Sequence, residues 1–162
     1  MNRYAAVFKT SLGWAAVIHN EKEEVERLFL PTTRQKATAY IKGLTKKRLP
    51  AVESRVRDYF DGKRVSFASV ALCQNGNTSF EKSVYKALRK IPYGTVISYS
   101  DLAAKAGSKG AARAAGTAMS KNRLPLIIPC HRVIRSDGSV GKFTSDGGAP
   151  LKRKMLSLEG KV

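Results

Sequence analysis

Cysteine and histidine are scarce in this 162-residue sequence, with two of each: Cys73, Cys130, His19 and His131. Two thiols make no disulfide framework, and none of the four residues stands at a zinc-ligand spacing, so neither a metal nor a cofactor is expected. No apolar run approaches the ~20 residues needed to cross a bilayer. Met1-Asn2-Arg3-Tyr4 leads straight into strand-like sequence instead of a signal peptide, so an intracellular protein without a membrane partner is expected. Acidic residues are also few, 12 against 30 Lys and Arg, a formal charge of +18. Such a field attracts polyanions without telling one from another, so a lysine-rich solvated surface, an anionic membrane and a nucleic acid all remain open on charge alone. The excess is larger from residue 78 onward, 16 basic against 5 acidic, than before it, 14 against 7. The second half is the expected binding half.

With 43% apolar and 26% charged residues, the composition is that of a globular chain able to bury a core without staples. Short β-rich runs at Tyr4 to Phe8, Trp14 to Ile18 and Val25 to Leu30 predict a three-strand meander. Ala37, Tyr40, Ile41 and Leu44, then Val52, Val56, Tyr59 and Phe60, fall at helical spacing. A strand over Val65 to Leu72, ending at Cys73, is expected next, with Cys73 a packed thiol. The polar turn Gln74-Asn75-Gly76-Asn77 marks the expected boundary between an amino-terminal domain, residues 1–74, and a second domain, residues 78–162.

The second half opens on Thr78-Ser79-Phe80-Glu81, a capping box. A helix follows, broken at Pro92-Tyr93-Gly94-Thr95. A small helix over Ser100 to Ala106, a stop at Gly107, a cap at Ser108 and an alanine-rich helix from about Lys109 to Met119 give a helix-turn-helix outline. In that second helix Arg113 is the one long side chain among Ala111, Ala112, Ala114, Ala115, Gly116 and Ala118. A helix so bare can press close to a surface, or pack tightly against a neighbour. Leu124 to Pro129 reads as a strand, Val133 to Val140 as a hairpin turning at Asp137-Gly138, and a last helix starts at Pro150. Helix-turn-helix followed by a hairpin suggests a winged helix.

Cys130 is followed directly by His131 and Arg132. A thiol reacts as thiolate, and a neighbouring cation or a proton-accepting histidine activates it. On a strand His131 would point away from Cys130 and act through a water or a local bend. Ile127-Ile128-Pro129-Cys130-His131-Arg132-Val133 resembles the active-site signature of the O6-alkylguanine-DNA alkyltransferases. The resemblance continues through Ile97-Ser98-Tyr99, Ala111 to Gly116, Asn122, Gly138-Ser139-Val140-Gly141 and Leu158-Glu159-Gly160, covering nearly all of the chain after residue 78.

The resemblance implies an α/β (α+β) fold, with a small ribonuclease-H-like amino-terminal domain before the winged helix. It implies a DNA-repair methyltransferase that accepts the alkyl group of O6-alkylguanine, and of O4-alkylthymine, on Cys130. His131, through a water, would take the thiol proton, Glu159 would orient the imidazole, and Tyr99 would share a proton with the departing guanine. Carbonyls of Cys130 and Val133 would read the exocyclic amine, and Thr144 would donate to O6. Arg113 would fill the place of the extruded nucleotide while Ala112, Ala115 and Gly116 let the helix sit in the minor groove of double-stranded DNA, with Arg132 a further DNA contact. Asn122 would couple the DNA-binding helix to the active-site segment. The implied protein is a monomer, with cooperative binding along DNA left open, in the cytoplasm and nucleoid of a prokaryotic cell.

Independently of any family, displacement at an alkyl carbon leaves a thioether that water does not cleave, and no second thiol or metal stands ready to receive the group. The protein would turn over once. Lys142-Phe143-Thr144-Ser145 and the longer Asp146 to Pro150 depart from the family pattern, which leaves the pocket shape open. Two other readings stand beside the transferase: a non-catalytic alkyltransferase-like binder, whose thiol position normally holds another residue, and a plain winged-helix DNA-binding protein, which would not need Cys130, Tyr99 and Glu159 together.

Overall fold

A computed structural model describes residues 1–161. Three long strands, β1 (Arg3–Thr10), β2 (Gly13–Asn20) and β3 (Val25–Thr32), form the expected antiparallel meander. β1 and β2 pair without a shift from Arg3↔Asn20 to Thr10↔Gly13, across a tight turn at Ser11-Leu12. The short β4 (Thr45–Lys46) adds parallel to β1, giving the order β3-β2-β1-β4. Alternate residues of β1 and β2 point to opposite faces. One face packs Ala5, Ala16 and Ile18 against Ala37 and Ile41 around α1 (Arg34–Tyr40). The other packs Ala6, Phe8, Ala15 and Val17 against Val52, Val56, Tyr59 and Phe60 of α2 (Pro50–Phe60).

The strand expected over Val65 to Leu72 does not form. Only Leu72 bridges Val25, and Cys73 is half-buried instead of packed in the core. The Arg89 guanidinium replaces the missing ladder by donating to the carbonyls of Phe67, Ala68 and Val70 at 2.8, 3.3 and 3.0 Å.

The second half begins with α3 (Ser79–Leu88), held by the capping box of Thr78 and Glu81. It continues through β5 (Ile97–Ser98), α4 (Tyr99–Lys105), α5 (Ala112–Ser120), a 3-10 turn (Cys130–Arg132), β6 (Val133–Ile134) and α6 (Gly148–Leu158). α4 is capped by the Ser98 hydroxyl, which accepts from the Asp101 amide. α5 starts three residues later than expected, because Gly107 and Gly110 both sit at positive φ and Ala111 bends back to the Ser108 carbonyl. The hairpin reduces to its turn: β6 pairs parallel with β5, and the Asp137 carboxylate takes the Ser139 amide and hydroxyl.

One apolar core runs through both halves, from Ala6 and Phe8 to Ile128, Cys130 and Met155. β3 is also tied to the second half by the Leu28 amide, which donates to the Arg123 carbonyl at 3.0 Å. The architecture is a mixed α/β fold with Cys130 in the core that joins the two halves. Among the described residues no helix is long and apolar enough to cross a membrane.

Candidate active site

Leu124 to Pro129 is not the expected strand. Pro125 and Pro129 remove two backbone donors, Leu126 takes φ 74°, and the Ile128 amide closes back on the Leu124 carbonyl at 2.8 Å. Pro129, at φ −78° and ψ 65°, forms an inverse γ-turn in which the Cys130 amide donates to the Ile128 carbonyl at 2.7 Å. The chain then enters the 3-10 turn, where side chains of successive residues diverge by about 120° instead of alternating. His131 and Arg132 consequently turn inward, onto the end of α6.

There Glu159 collects an unusual number of donors for a buried carboxylate. His131 Nε2 lies 2.7 Å from its Oε1, and Arg132 Nε and Nη2 donate at 3.0 Å to Oε2 and Oε1. The Tyr59 hydroxyl donates to Oε1 at 2.9 Å and the Gly94 amide to Oε2 at 3.1 Å. Gly94 has φ 77°, and a Cβ there would stand 3.3 Å from the Glu159 carbonyl, so the approach requires glycine. Burial pushes the Glu159 carboxyl upward, but the hydrogen bonds and charges of His131 and Arg132 outweigh it and hold the group at about 2. Burial lowers His131 against the raising effect of Glu159, so the imidazole is neutral at physiological pH. Its Nδ1 is buried and has no hydrogen-bond partner among the described residues. Nε2 faces the carboxylate, which assigns the proton to Nε2 and leaves Nδ1 basic.

Cys130 is 8% exposed at the inner end of a cleft of about 490 Å³, which Tyr99, Met119 and Phe143 also line. Burial pushes the thiol up, opposed by the Asn122 side chain, the Lys152 charge and backbone amides. The resting group is therefore a thiol that needs a base. Tyr99 is likewise pushed up, by burial first and by Cys130 next, so its hydroxyl keeps its proton. Asn122 spans the segment between α5 and Cys130: its Nδ2 donates to the Ile128 carbonyl at 3.0 Å, and its Oδ1 accepts from the Leu124 amide at 2.9 Å.

Arg113 is exposed on α5 at the cleft mouth, where Ala112 and Gly116 form part of the same wall and Thr144 stands across from them. Two expected DNA contacts need correction. Ala115 is fully buried and faces the core, and Arg132 is 7% exposed, engaged with Glu159 and with the Ile91 carbonyl at 2.7 Å. Neither reaches the outer surface. The Val133 carbonyl is already occupied by Lys152, whose Nζ donates at 2.6 Å. Burial lowers this lysine to about 8.

Sequence reasoning missed Tyr59, Gly94 and Lys152. Lys152 lies in a basic run, Lys152-Arg153-Lys154, that reads as solvated. The only signal was its position three residues before Met155 on the apolar face of α6. Tyr59 appeared only as one more member of an apolar helical stripe.

A sequence model described as the 6-O-methylguanine DNA methyltransferase, DNA binding domain, matches residues 79–161. The constitutive methylated-DNA–protein-cysteine methyltransferase of Bacillus subtilis is 34% identical over 171 aligned positions, covering 98% of this chain and 96% of that one. The Methanothermobacter thermautotrophicus protein of the same name is 43% identical over 105 positions, where the match takes in 65% of this chain but only 57% of the relative. Among solved structures, Mycobacterium tuberculosis OGT in complex with DNA has a TM-score of 0.80 at 29% identity, over 96% of this chain and 92% of that chain. The O6-methylguanine-DNA methyltransferase of Pyrococcus kodakaraensis has a TM-score of 0.74 at 25% identity, over 98% and 99%. With a relative matched end to end and the second half covered by the family model, the chain belongs to the methylated-DNA–protein-cysteine methyltransferase family.

Proposed function

We propose that this protein repairs DNA by moving the alkyl group of O6-alkylguanine, and of O4-alkylthymine, onto Cys130 in one irreversible step. The observation that carries the reading is a buried thiol at the inner end of a cleft, directly followed in the chain by a neutral imidazole held by Glu159 through one nitrogen with the other free. His131 Nδ1 takes the Cys130 proton through a bridging water. The S–C bond forms as the C–O6 bond breaks, the Tyr99 hydroxyl gives a proton to the departing guanine, and the proton taken by His131 is released to solvent as the Tyr99 phenol is reprotonated. The product is a thioether on the protein and an intact guanine in DNA. No residue of the site can hydrolyse the thioether, so each molecule acts once.

A stacked base cannot align its alkyl carbon with the thiol, so the substrate nucleotide has to leave the duplex. Arg113, exposed at the cleft mouth, fills the gap it leaves, and the small side chains of Ala112 and Gly116 let α5 lie against the minor groove. Thr144 supplies a donor toward O6. The carbonyls of Cys130 and Val133 are the acceptors for the exocyclic amine, the latter shared with Lys152. Asn122 transmits the position of α5 to Cys130. In this reading residues 1–74 form a ribonuclease-H-like domain and residues 78–162 a winged helix, acting as a monomer on DNA in the cytoplasm.

Intact-mass measurement after mixing with a duplex bearing O6-methylguanine tests the proposal. A gain of one methyl group confined to the Cys130 peptide is expected, with none in Cys130→Ser, which still binds the duplex. An unchanged mass in the wild-type protein, or a label on Cys73, rejects it.

A further inference from the structure

We infer that Tyr59, on α2 of the first half, is a positioning residue of the Cys130 site, fixing the proton of His131 through a hydrogen-bonded triangle of Tyr59, His131 and Glu159. The inference rests on the transfer reading above and extends its proton-handling groups across the junction of the two halves.

Tyr59 is fully buried. Its hydroxyl lies 2.9 Å from Glu159 Oε1, 3.3 Å from His131 Nε2 and 3.4 Å from the Met155 carbonyl. A phenol has one proton, and of these partners the ionised carboxylate is the strongest and nearest acceptor. Donating there turns an oxygen lone pair toward His131 Nε2. That nitrogen then faces two acceptors, a carboxylate oxygen and a phenol oxygen, so it must carry the hydrogen. Nδ1 is thereby left as the base. Burial and the neighbouring Glu159 charge push the phenol far above its ordinary range, so the hydroxyl keeps its proton to donate.

The hydroxyl also moderates Glu159. By donating to Oε1 it withdraws charge from the atom that holds His131, which limits the stabilisation of an imidazolium. Removing it would make the carboxylate a stronger partner and raise the proton affinity of His131. The other groups bearing on the pair are Arg132 on the 3-10 turn, Lys152 on α6, Cys130 itself, and Tyr93 with Arg64 over its ring, behind Tyr59. None is altered by Tyr59→Phe. The ring would keep its edge contacts with Phe60, Tyr93 and His131.

The test compares wild-type protein with Tyr59→Phe, using ¹⁵N-histidine spectra across pH and single-turnover methyl transfer from an O6-methylguanine duplex. The chain has two histidines, and His19, with both ring nitrogens on carbonyls, serves as the internal reference. In Tyr59→Phe the His131 resonances should titrate at higher pH, because the carboxylate becomes the stronger partner of Nε2. Transfer should slow by about fivefold near pH 7.5 and by more at pH 6, where the base is protonated earlier. In a Glu159→Gln background the same change should add little further slowing, since the triangle is already broken. A lower melting temperature with unchanged His131 signals and an unchanged pH profile would make Tyr59 a packing residue only. Failure of the wild-type protein to transfer at all would instead reject the proposed function, while the His131 spectra would still decide the role of Tyr59.

Discussion

Glu159→Gln offers the sharpest energetic test of the buried site, because it changes one charge and almost no volume. Glu159 is held at about 2 against an ordinary 4.5. That depression corresponds to about 3 kcal/mol of folding stability at neutral pH. An independent route gives a similar figure: removing one partner of a buried ion pair costs about 3–5 kcal/mol, since the other charge stays buried alone. Here the stranded charge is Arg132, 7% exposed, which would keep the Ile91 carbonyl and lose its carboxylate. For a chain of this length about 3–5 kcal/mol lowers the melting temperature by roughly 6–20 °C. A carboxyl lowered in the folded state stabilises above its unfolded value and loses that contribution as pH falls toward the folded one. The gap between wild type and variant should therefore be full at pH 7, shrink by roughly half near pH 3.5 and close toward pH 2. Thermal melts of both proteins over that range measure it. A loss below about 2 °C at pH 7, or a gap that stays constant down to pH 3.5, would refute the account of Glu159 as the anchor of the Arg132 charge and of the neutral His131 ring.

Two further outcomes follow from the cleft. Arg113→Ala should slow transfer from duplex DNA at least tenfold while leaving transfer from free O6-benzylguanine within about twofold, because only a duplex needs its extruded base replaced; equal losses in the two single-turnover assays would make Arg113 structural. Alkylated protein should melt lower than the free form, by about 1–3 kcal/mol of overpacking against Met119, Tyr99 and Phe143, and more for benzyl than for methyl; equal or rising melting temperatures across the three forms would show that the cleft accepts the adduct without strain.

The sequence made the long elements legible where one periodicity dominated. The β1–β3 meander, α2 and the capping box at Thr78 carry their own signals, and the structure has them within a few residues. It misled where a hydrophobic run lacked a partner to pair with. Val65 to Leu72 is apolar enough for a strand, yet its carbonyls are taken by Arg89 from α3, a contact 19 to 22 residues away that no local pattern reveals. Leu124 to Pro129 is as apolar as any strand here, but two prolines and a positive-φ Leu126 make it a knot of turns. That difference matters for chemistry: on a strand His131 would point to the face opposite Cys130, whereas the 3-10 turn sets successive side chains about 120° apart and brings His131 onto Glu159.

The site residues divide along the same line. Cys130, His131 and Glu159 were legible because they sit in short motifs. Arg132, adjacent to them, is expected at the DNA, although a guanidinium beside a buried carboxylate is more useful inside. Burial also explains how the thiol can wait. In the proposed single transfer the thiol has to stay unspent until a lesion arrives, and a free thiolate would be lost to oxidants and stray electrophiles. Cys130 meets that need by desolvation, which keeps it protonated, while Asn122 and Lys152 pull in the opposite direction from fixed positions on either side. Cys130 therefore rests as the thiol. Under the proposed transfer, activation belongs to the moment when a base fills the cleft beside Tyr99 and the alkyl carbon comes into line, so that the burial which slows the resting thiol would reserve its chemistry for the lesion.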